Sequence, residues 1–383
     1  LGSLAIIGLS IYASHAGPRS AGERTTNTQP AAFDTQGGTI APHTAKAIAA
    51  AEKFLASLDD TKKAKATFEF NSDKRARWTN LPGPRMGTYM GELTKEQQAA
   101  AMEVVAAVLS KEGYQKVLDI IAGDDVLAKG GGKGPKGDKG GKGDKGDKGG
   151  KGDKGKGDKG GKGDKGGMGG KGGGGGFGYD NYHLAIFGKP SPDQPWLVEF
   201  GGHHLGINVT IVGKDFVLTP TLTCAQPATF TKDGKTVRPL GTEVDTAFKL
   251  LNSLDEKQRA QAILKTRTSD LLLGPGQDGK EIPPEGLKGS ELNEKQQALL
   301  VDLAGAWVTI LHEASANPRM ADIRAKVKET YFGWSGPTAE GSAAYFRVQG
   351  PNVVVEYAPQ GGTDHIHTIV REFGNDYGKK LIK

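Results

Sequence analysis

Apolar positions along this chain switch between two periods, and they do so twice. From Thr44 to about Leu127 they recur every three or four residues. "TAKAIAAAEKFLASL" is alanine-rich with an apolar stripe, and "LTKEQQAAAMEVVAAVLSKEGYQKVLDIIAG" predicts two helices parted at Gly113. Thr94 followed three residues later by Gln97 is a capping-box signature, which places the start of the first of these helices. Later the period shortens. "YHLAIFGKP", "PWLVEFGG", "HLGINVTIVG" and "DFVLTPTLT" are short, β-rich and punctuated by Gly, Pro and Asp, as strands are. Helical spacing returns in "VDTAFKLLNSLDEKQRAQAIL", in "LNEKQQALLVDLAGAWVTILHE" and in "MADIRAKVKETYFGW". "AAYFRVQGPNVVVEYAP" and "HIHTIVREF" are strands again.

That order reads as one unit repeated. "FLASLDDTKKAKA" matches "LLNSLDEKQRAQA", and "LTKEQQAAAMEVVAAVL" matches "LNEKQQALLVDLAGAWV"; the spacing between the two blocks is 40 residues in the first half and 43 in the second. The predicted fold is α+β: internally duplicated helical-bundle-plus-antiparallel-β units with pseudo-twofold character, their β parts packed as one sheet system. The expected divisions are a signal-peptide remnant over 1–16, a flexible linker over 17–43 and a first helical unit over 44–128. A low-complexity insert over 129–176 follows, then a first β unit (177–241), a second helical unit (242–330) and a second β unit (331–383).

Composition changes the picture at two places. The formal charge of +6 over 383 residues suggests a nucleic-acid partner until it is located. Between Gly130 and Gly176 there are thirteen lysines against six aspartates, so the remainder of the chain is close to −1 and offers no basic binding face. The insert itself runs in Gly-X-Lys triplets from Gly131 to Lys154, slips at Gly155-Lys156 and resumes at Gly157. Regular Gly-X-Y is the collagen signature, but a single proline, many glycines at X and the broken period favour a solvated flexible tract, suited to contact with anionic surfaces. "LGSLAIIGLSIYASHAG" is an apolar run ending in small residues, too short for an ordinary membrane span. It reads as the core of a signal peptide, so a secreted or periplasmic protein with no stable span in its mature form is expected. Cys224 stands alone, which excludes an intramolecular disulfide and a cysteine zinc site.

The candidate chemistry lies in the histidines, of which there are eight. His365 and His367 in "DHIHTIV" are two apart and share a face of a strand, a spacing suited to two imidazoles on one metal. His203 and His204 in "FGGHHLGIN" are adjacent and point to opposite faces of a regular strand, unless Gly201-Gly202 host a bulge that turns both inward. Neither pair has a counterpart in the other half, so they are not repeated structural features. Glu356 is the candidate fourth ligand or general base, with Asp364 and Glu199 weaker. Arg347, Arg371 and Asp376 are placed to orient the imidazoles, as is Tyr377, and Arg85 in "LPGPRMG" is a more distant candidate. His183 and His312 are single and read as structural. Three imidazoles with an open position describe a catalytic zinc site, and imidazole also suits copper, so one divalent transition metal, zinc or copper, is expected. No hydrolase nucleophile motif, HExxH or phosphate-binding loop occurs.

The combination of "PWLVEFGGHHLGIN" with "YFRVQGPNVVVEYAPQGGTDHIHTIVREFGNDYG" resembles the bacterial family known as domain of unknown function 3500, from about Ala51 to the C-terminus apart from the Gly-Lys tract. The matching positions are Gly202, His203, His204, Leu205, Glu356, His365, His367, Arg371 and the run Asn375-Asp376-Tyr377-Gly378. The resemblance implies a shared site and carries no activity. The residues themselves support an exported, histidine-ligated metalloprotein, a hydrolase or copper-type oxidoreductase acting on an extracellular substrate. The alternative is a non-enzymatic metal-binding or cell-surface interaction protein with the lysine tract as tether. Since loop closure costs grow only as about (3/2)RT ln n, deleting residues 131–175 and joining the ends with a short linker should leave thermal unfolding nearly unchanged. A lost unfolding transition, or a collagen-like circular dichroism signal from the intact chain, would contradict this.

Overall fold

A computed structural model describes residues 40–80, 83–130 and 176–382. The apolar run at 1–16, nearly all of the expected linker and the Gly/Lys/Asp tract lie outside the described residues. The first helices are α1 (Pro42–Ala56), α2 (Asp60–Ala66), α3 (Lys95–Val108) and α4 (Lys111–Lys129), with short strands β1 (Thr67–Phe68) and β2 (Thr88–Tyr89) between α2 and α3. Strands β3 (His183–Phe187), β4 (Trp196–Gly201), β5 (Leu205–Val212), β6 (Asp215–Val217) and β7 (Thr221–Ala225) follow, then a separate hairpin of β8 (Phe230–Lys232) and β9 (Lys235–Val237). The second set comprises α5 (Gly241–Ser253), α6 (Glu256–Ala262), β10 (Leu287–Lys288), α7 (Glu294–Val308) and α8 (Glu313–Ala325), then β11 (Tyr331–Ser335), β12 (Tyr345–Gln349), β13 (Val354–Pro359) and β14 (Ile366–Arg371). The α+β class is as expected.

Twelve of these strands form one mixed sheet in the order β1-β3-β4-β5-β7-β14-β13-β12-β11-β10, with β2 attached to β3 and β6 to β5. Side chains alternate between its faces. One face, with Val198, Phe200, Ile207 and Val209 on one side and Val348, Val355 and Val370 on the other, packs beneath the helices against Phe54, Val105, Leu303 and Trp307. On the opposite face the alternation places Glu199, Asn208, Arg347, Glu356 and Arg371, all buried, among Leu197, Leu222, Cys224 and Ile369. Segments from the α2–α3 and α6–α7 connections cover that face. Trp78 packs over Gly206, where an added Cβ would stand 2.9 Å from its ring, and the Leu272 and Leu273 N–H groups donate to Glu356 at 2.9 and 2.8 Å.

The helix starts follow their caps. Thr94 and Gln97 form the expected box, and Asp255 with Gln258 and Asn293 with Gln296 form two more. The break between α3 and α4 differs from expectation. It falls at Leu109-Ser110, where the Ser110 hydroxyl caps the Gly113 N–H at 2.9 Å, and Gly113 lies inside α4. This glycine serves packing: an added Cβ would stand 2.2 Å from the Ile310 carbonyl oxygen, where Leu109 and Leu311 bridge the two helical sets. A glycine-to-alanine change in a helix ordinarily stabilises by up to about 1 kcal/mol. Gly113→Ala should instead destabilise by about 1–3 kcal/mol in urea unfolding, as overpacking does; an unchanged or raised midpoint would remove this account of the contact.

Candidate metal centre

The site begins with a tight turn. Gly202, His203, His204 and Leu205 link β4 to β5, with the Gly202 N–H donating to the Leu205 carbonyl at 2.9 Å and Gly201 opposite Gly206. The two histidines therefore occupy a hairpin tip instead of a strand or a bulge, and residues at a tip need not point to opposite faces. Gly202 must be glycine because Tyr182 packs on its backbone; an added Cβ would stand 2.8 Å from that ring. The other segment comes from β14. His365 precedes the strand, and its carbonyl accepts the Gln360 N–H at 2.7 Å to close the β13–β14 hairpin. Between them runs β7: Cys224 donates its N–H to the His204 carbonyl at 2.8 Å and is paired with His367 on its other side. Both histidine segments thus reach the same end of the sheet.

His203, His204 and His365 each offer a nitrogen, and these atoms all lie within 4.8 Å of one another, so the cluster could hold a metal ion. His204 Nε2 lies 3.3 Å from His365 Nε2, and His367 Nε2 lies 2.9 Å from the same His365 atom. Two nitrogens each ~2.0 Å from a tetrahedral ion are ~3.3 Å apart, so the first spacing fits a shared cation. The tautomer supports it. His204 Nδ1 faces the carboxylate of Asp124, whose other oxygen accepts the Tyr182 hydroxyl at 2.7 Å, an arrangement that directs a neutral ring's proton to Nδ1 and leaves Nε2 free to coordinate. His365 Nε2 then faces two imidazole nitrogens at once. A single ring nitrogen carries either one proton or one lone pair, and a cation shared by His204 and His365 satisfies the facing nitrogens of those two, with His367 at hydrogen-bond distance beside them.

Asp124 was not a candidate from the sequence, yet a signal was present. It shares the inner side of α4 with the buried Ile120, Ile121 and Leu127, and a carboxylate on an apolar helical stripe requires a buried partner. Phe177 meets the His203 ring edge-on at 4.6 Å between centroids and shields that side. Burial, followed by His204, pushes His203 and His365 each down to about 4; burial, followed by His365, pushes His367 to about 3. All three are neutral near pH 7, as metal ligands must be.

The other sequence candidates lie elsewhere in the hydrogen-bond network. Glu356, fully buried, accepts from the Leu272 and Leu273 N–H groups and from the Tyr345 hydroxyl, and burial pushes its carboxyl up. It is not in the imidazole cluster. Arg347 is its partner across β12–β13 and reaches Glu285 at 3.4 Å. Arg371 donates to the Leu273 and Gly274 carbonyls and to Asp278 and Asp376, the last two at 2.8 Å, and the Tyr377 hydroxyl accepts from Trp78 Nε1 at 2.9 Å. These residues hold the covering loops. Asp364 accepts the Ala228 N–H, and Glu199 contacts His183 at 3.1 Å on the buried sheet face. His312 is not within a helix but caps α8, stacked on His43. A cleft of about 550 Å³ opens beside the centre, with His367 in its lining alongside Trp78, Thr79, Asn80, Asp270 and Gln277.

Residues 41–379 match the family model described as "Protein of unknown function (DUF3500)", and the chain belongs to that family. No curated protein and no solved structure matches it. Among the described residues no helix is long and apolar enough to cross a membrane.

The lowered imidazole values fix a direction for stability. Unfolded histidine titrates near ~6.5, so between that pH and about 3 the unfolded chain binds more protons than the folded one. The metal-free protein should lose stability as pH falls through this window and level off below it. Urea midpoints measured against pH should fall less steeply in a His365→Gln/His367→Gln variant than in the parent; equal slopes would show that these rings are not held neutral by the fold.

Proposed function

We propose that this member of the family is a metalloenzyme whose single divalent transition metal, zinc or copper, is held by His203, His204 and His365, with His367 beside them at the cleft. The observation that carries the reading is the placement of His204, with Nδ1 on the Asp124 carboxylate and Nε2 3.3 Å from His365 Nε2. Carboxylate–imidazole pairing of this kind orients a metal ligand and raises its basicity. Bound there, such an ion would polarise a water or a substrate oxygen. The chain's own residues do the rest. Asp124 and Tyr182 hold one ligand in its tautomer, Phe177 excludes water from His203, and the cleft admits substrate along His367. Glu356 and Arg371 act as positioning residues, because they anchor the 271–278 segment that forms one wall.

The same reading includes internal duplication and export. Strand order outward from the β7–β14 pair, through β5-β4-β3 on one side and β13-β12-β11 on the other, supports the duplication. The apolar run at 1–16 supports a secreted or periplasmic location.

Elemental analysis of untagged protein should find about one metal per chain. A ligand in thousandfold excess over Kd stabilises the fold by about 4 kcal/mol, so His204→Ala and His365→Ala should abolish tight binding and the metal-dependent rise in Tm. Asp124→Asn should weaken affinity roughly 10–100-fold, and His312→Ala should leave it intact. Variants at His204 and His365 that bind as tightly as the parent would refute the centre. Stoichiometric metal without turnover on hydrolase and oxidase substrate panels would favour a metal-binding or cell-surface role.

A further inference from the structure

The cleft beside the centre carries hydrogen-bonding groups that no other described residue uses. Asp270, which lines it together with His367, is the first of them. Its Oδ1 accepts the Leu271 N–H at 2.7 Å and Gln360 Nε2 at 2.9 Å. Gln360 is itself fixed on the β13–β14 hairpin, where its backbone N–H donates to the His365 carbonyl at 2.7 Å. Asp270 is therefore tied to the hairpin that carries the histidines, and its carboxylate is oriented before any ligand arrives. Among the described residues its Oδ2 accepts no hydrogen bond. Asn80 from the α2–α3 connection and Gln277 from the α6–α7 connection also line the cleft. Both are half-buried, and neither side-chain amide makes a hydrogen bond among the described residues. Arg77, also in the lining, is paired with Asp73.

A ligand that fills this cleft meets groups of two kinds. A carboxylate oxygen only accepts, so Asp270 Oδ2 requires a donor. A primary amide has two N–H donors and a carbonyl acceptor, so Asn80 and Gln277 require both. An ammonium group only donates and an oxyanion only accepts, and each leaves part of this set unmatched. A hydroxyl does both. Polar groups that lose water on binding and find no partner cost affinity, so the complement is a ligand with several hydroxyls. At about 550 Å³ the cleft lies within the ~300–1,000 Å³ of small-molecule sites, so one molecule can meet all three residues.

Resting on the metal-centre reading, which makes this cleft the approach to the ion, we infer that the substrate is a neutral saccharide whose hydroxyls are held by Asp270 Oδ2, Asn80 and Gln277. Asp270 sets the preference, because its fixed acceptor takes a hydroxyl proton and repels an anion. The sugar is thereby presented to His367 at the edge of the centre.

The test is calorimetric titration of the full-length protein, zinc-loaded and metal-free, with maltotriose, cellotriose, xylotriose and chitotriose. Putrescine and succinate serve as probes that only donate or only accept. At least one trisaccharide should bind, and more tightly than either charged probe. Asp270→Asn keeps an Oδ1 for Leu271 and Gln360 but turns the free oxygen into a donor. It should weaken that trisaccharide roughly tenfold or more, the scale of a hydrogen bond to a charged group. Asn80→Ala and Gln277→Ala should each weaken it roughly 2–10-fold, and they carry the comparison if the asparagine variant does not fold. Zinc content and Tm should stay at parent values in these variants, which separates a lost ligand contact from a damaged fold or centre. No trisaccharide binding by either form, tighter binding of putrescine or succinate, or equal trisaccharide binding by parent and variants would overturn the inference. Trisaccharide binding that these variants weaken, in a protein that takes up no zinc, would uphold it while refuting the metal reading.

Discussion

The pairing of β7 with β14 is the contact on which the rest depends. It joins the strands preceding α5 to those following α8 into one sheet, so helices from both sets pack on a single continuous face. The seam is tied by side chains as well as backbone. The hydroxyls of Thr223 and Thr368 meet at 2.7 Å, and Trp307 Nε1 donates to Thr368 at 2.8 Å, so α7 is hydrogen-bonded to the strand that carries His367. A one-residue slip would turn every side chain of β14 to the other face. His367 would then leave the cleft and Ile369 its apolar cluster, so core packing and site geometry enforce the same register.

The centre stands at the end of that seam and is held from outside the sheet. Asp124 on α4 reaches His204, Tyr182 before β3 reaches Asp124, and Phe177 closes over His203. The polar sheet face is handled differently. Glu356, Arg347 and Arg371 are buried there beneath two loops; Glu356 and Arg371 hydrogen-bond loop backbone, and Arg347 reaches the Glu285 carboxylate. Buried charges satisfied in this way fix a loop's position more strictly than apolar contact does, since shifting the loop strands a charge. The cleft walls therefore have a defined shape although they carry little regular structure.

Element types were legible in the sequence because they follow from local periodicity. Apolar spacings of three to four and of two, together with Thr94 and Gln97, located helices and strands without knowledge of what they touch. Local signals failed where a residue serves a distant partner. Gly113 resembled a helix breaker, but its glycine answers the Ile310 carbonyl, nearly two hundred positions away in the chain. The two glycines before His203 suggested a bulge, whereas they lead into a turn packed under Tyr182. Glu356 stood close to the histidines in the chain and was expected among them, yet its strand neighbours direct it to a loop.

The sequence by itself determined that this is an α+β chain of helix-then-strand blocks, whose histidine pairs lie in the β-rich parts of a recognisable family. The tertiary structure decided which histidines meet and that Asp124 orients one of them. The physical reason is one of range. Hydrophobic period and capping are settled within a few residues of chain, whereas a buried imidazole or carboxylate is satisfied by whatever group the sheet order brings alongside it, and that order is set only when β7 meets β14.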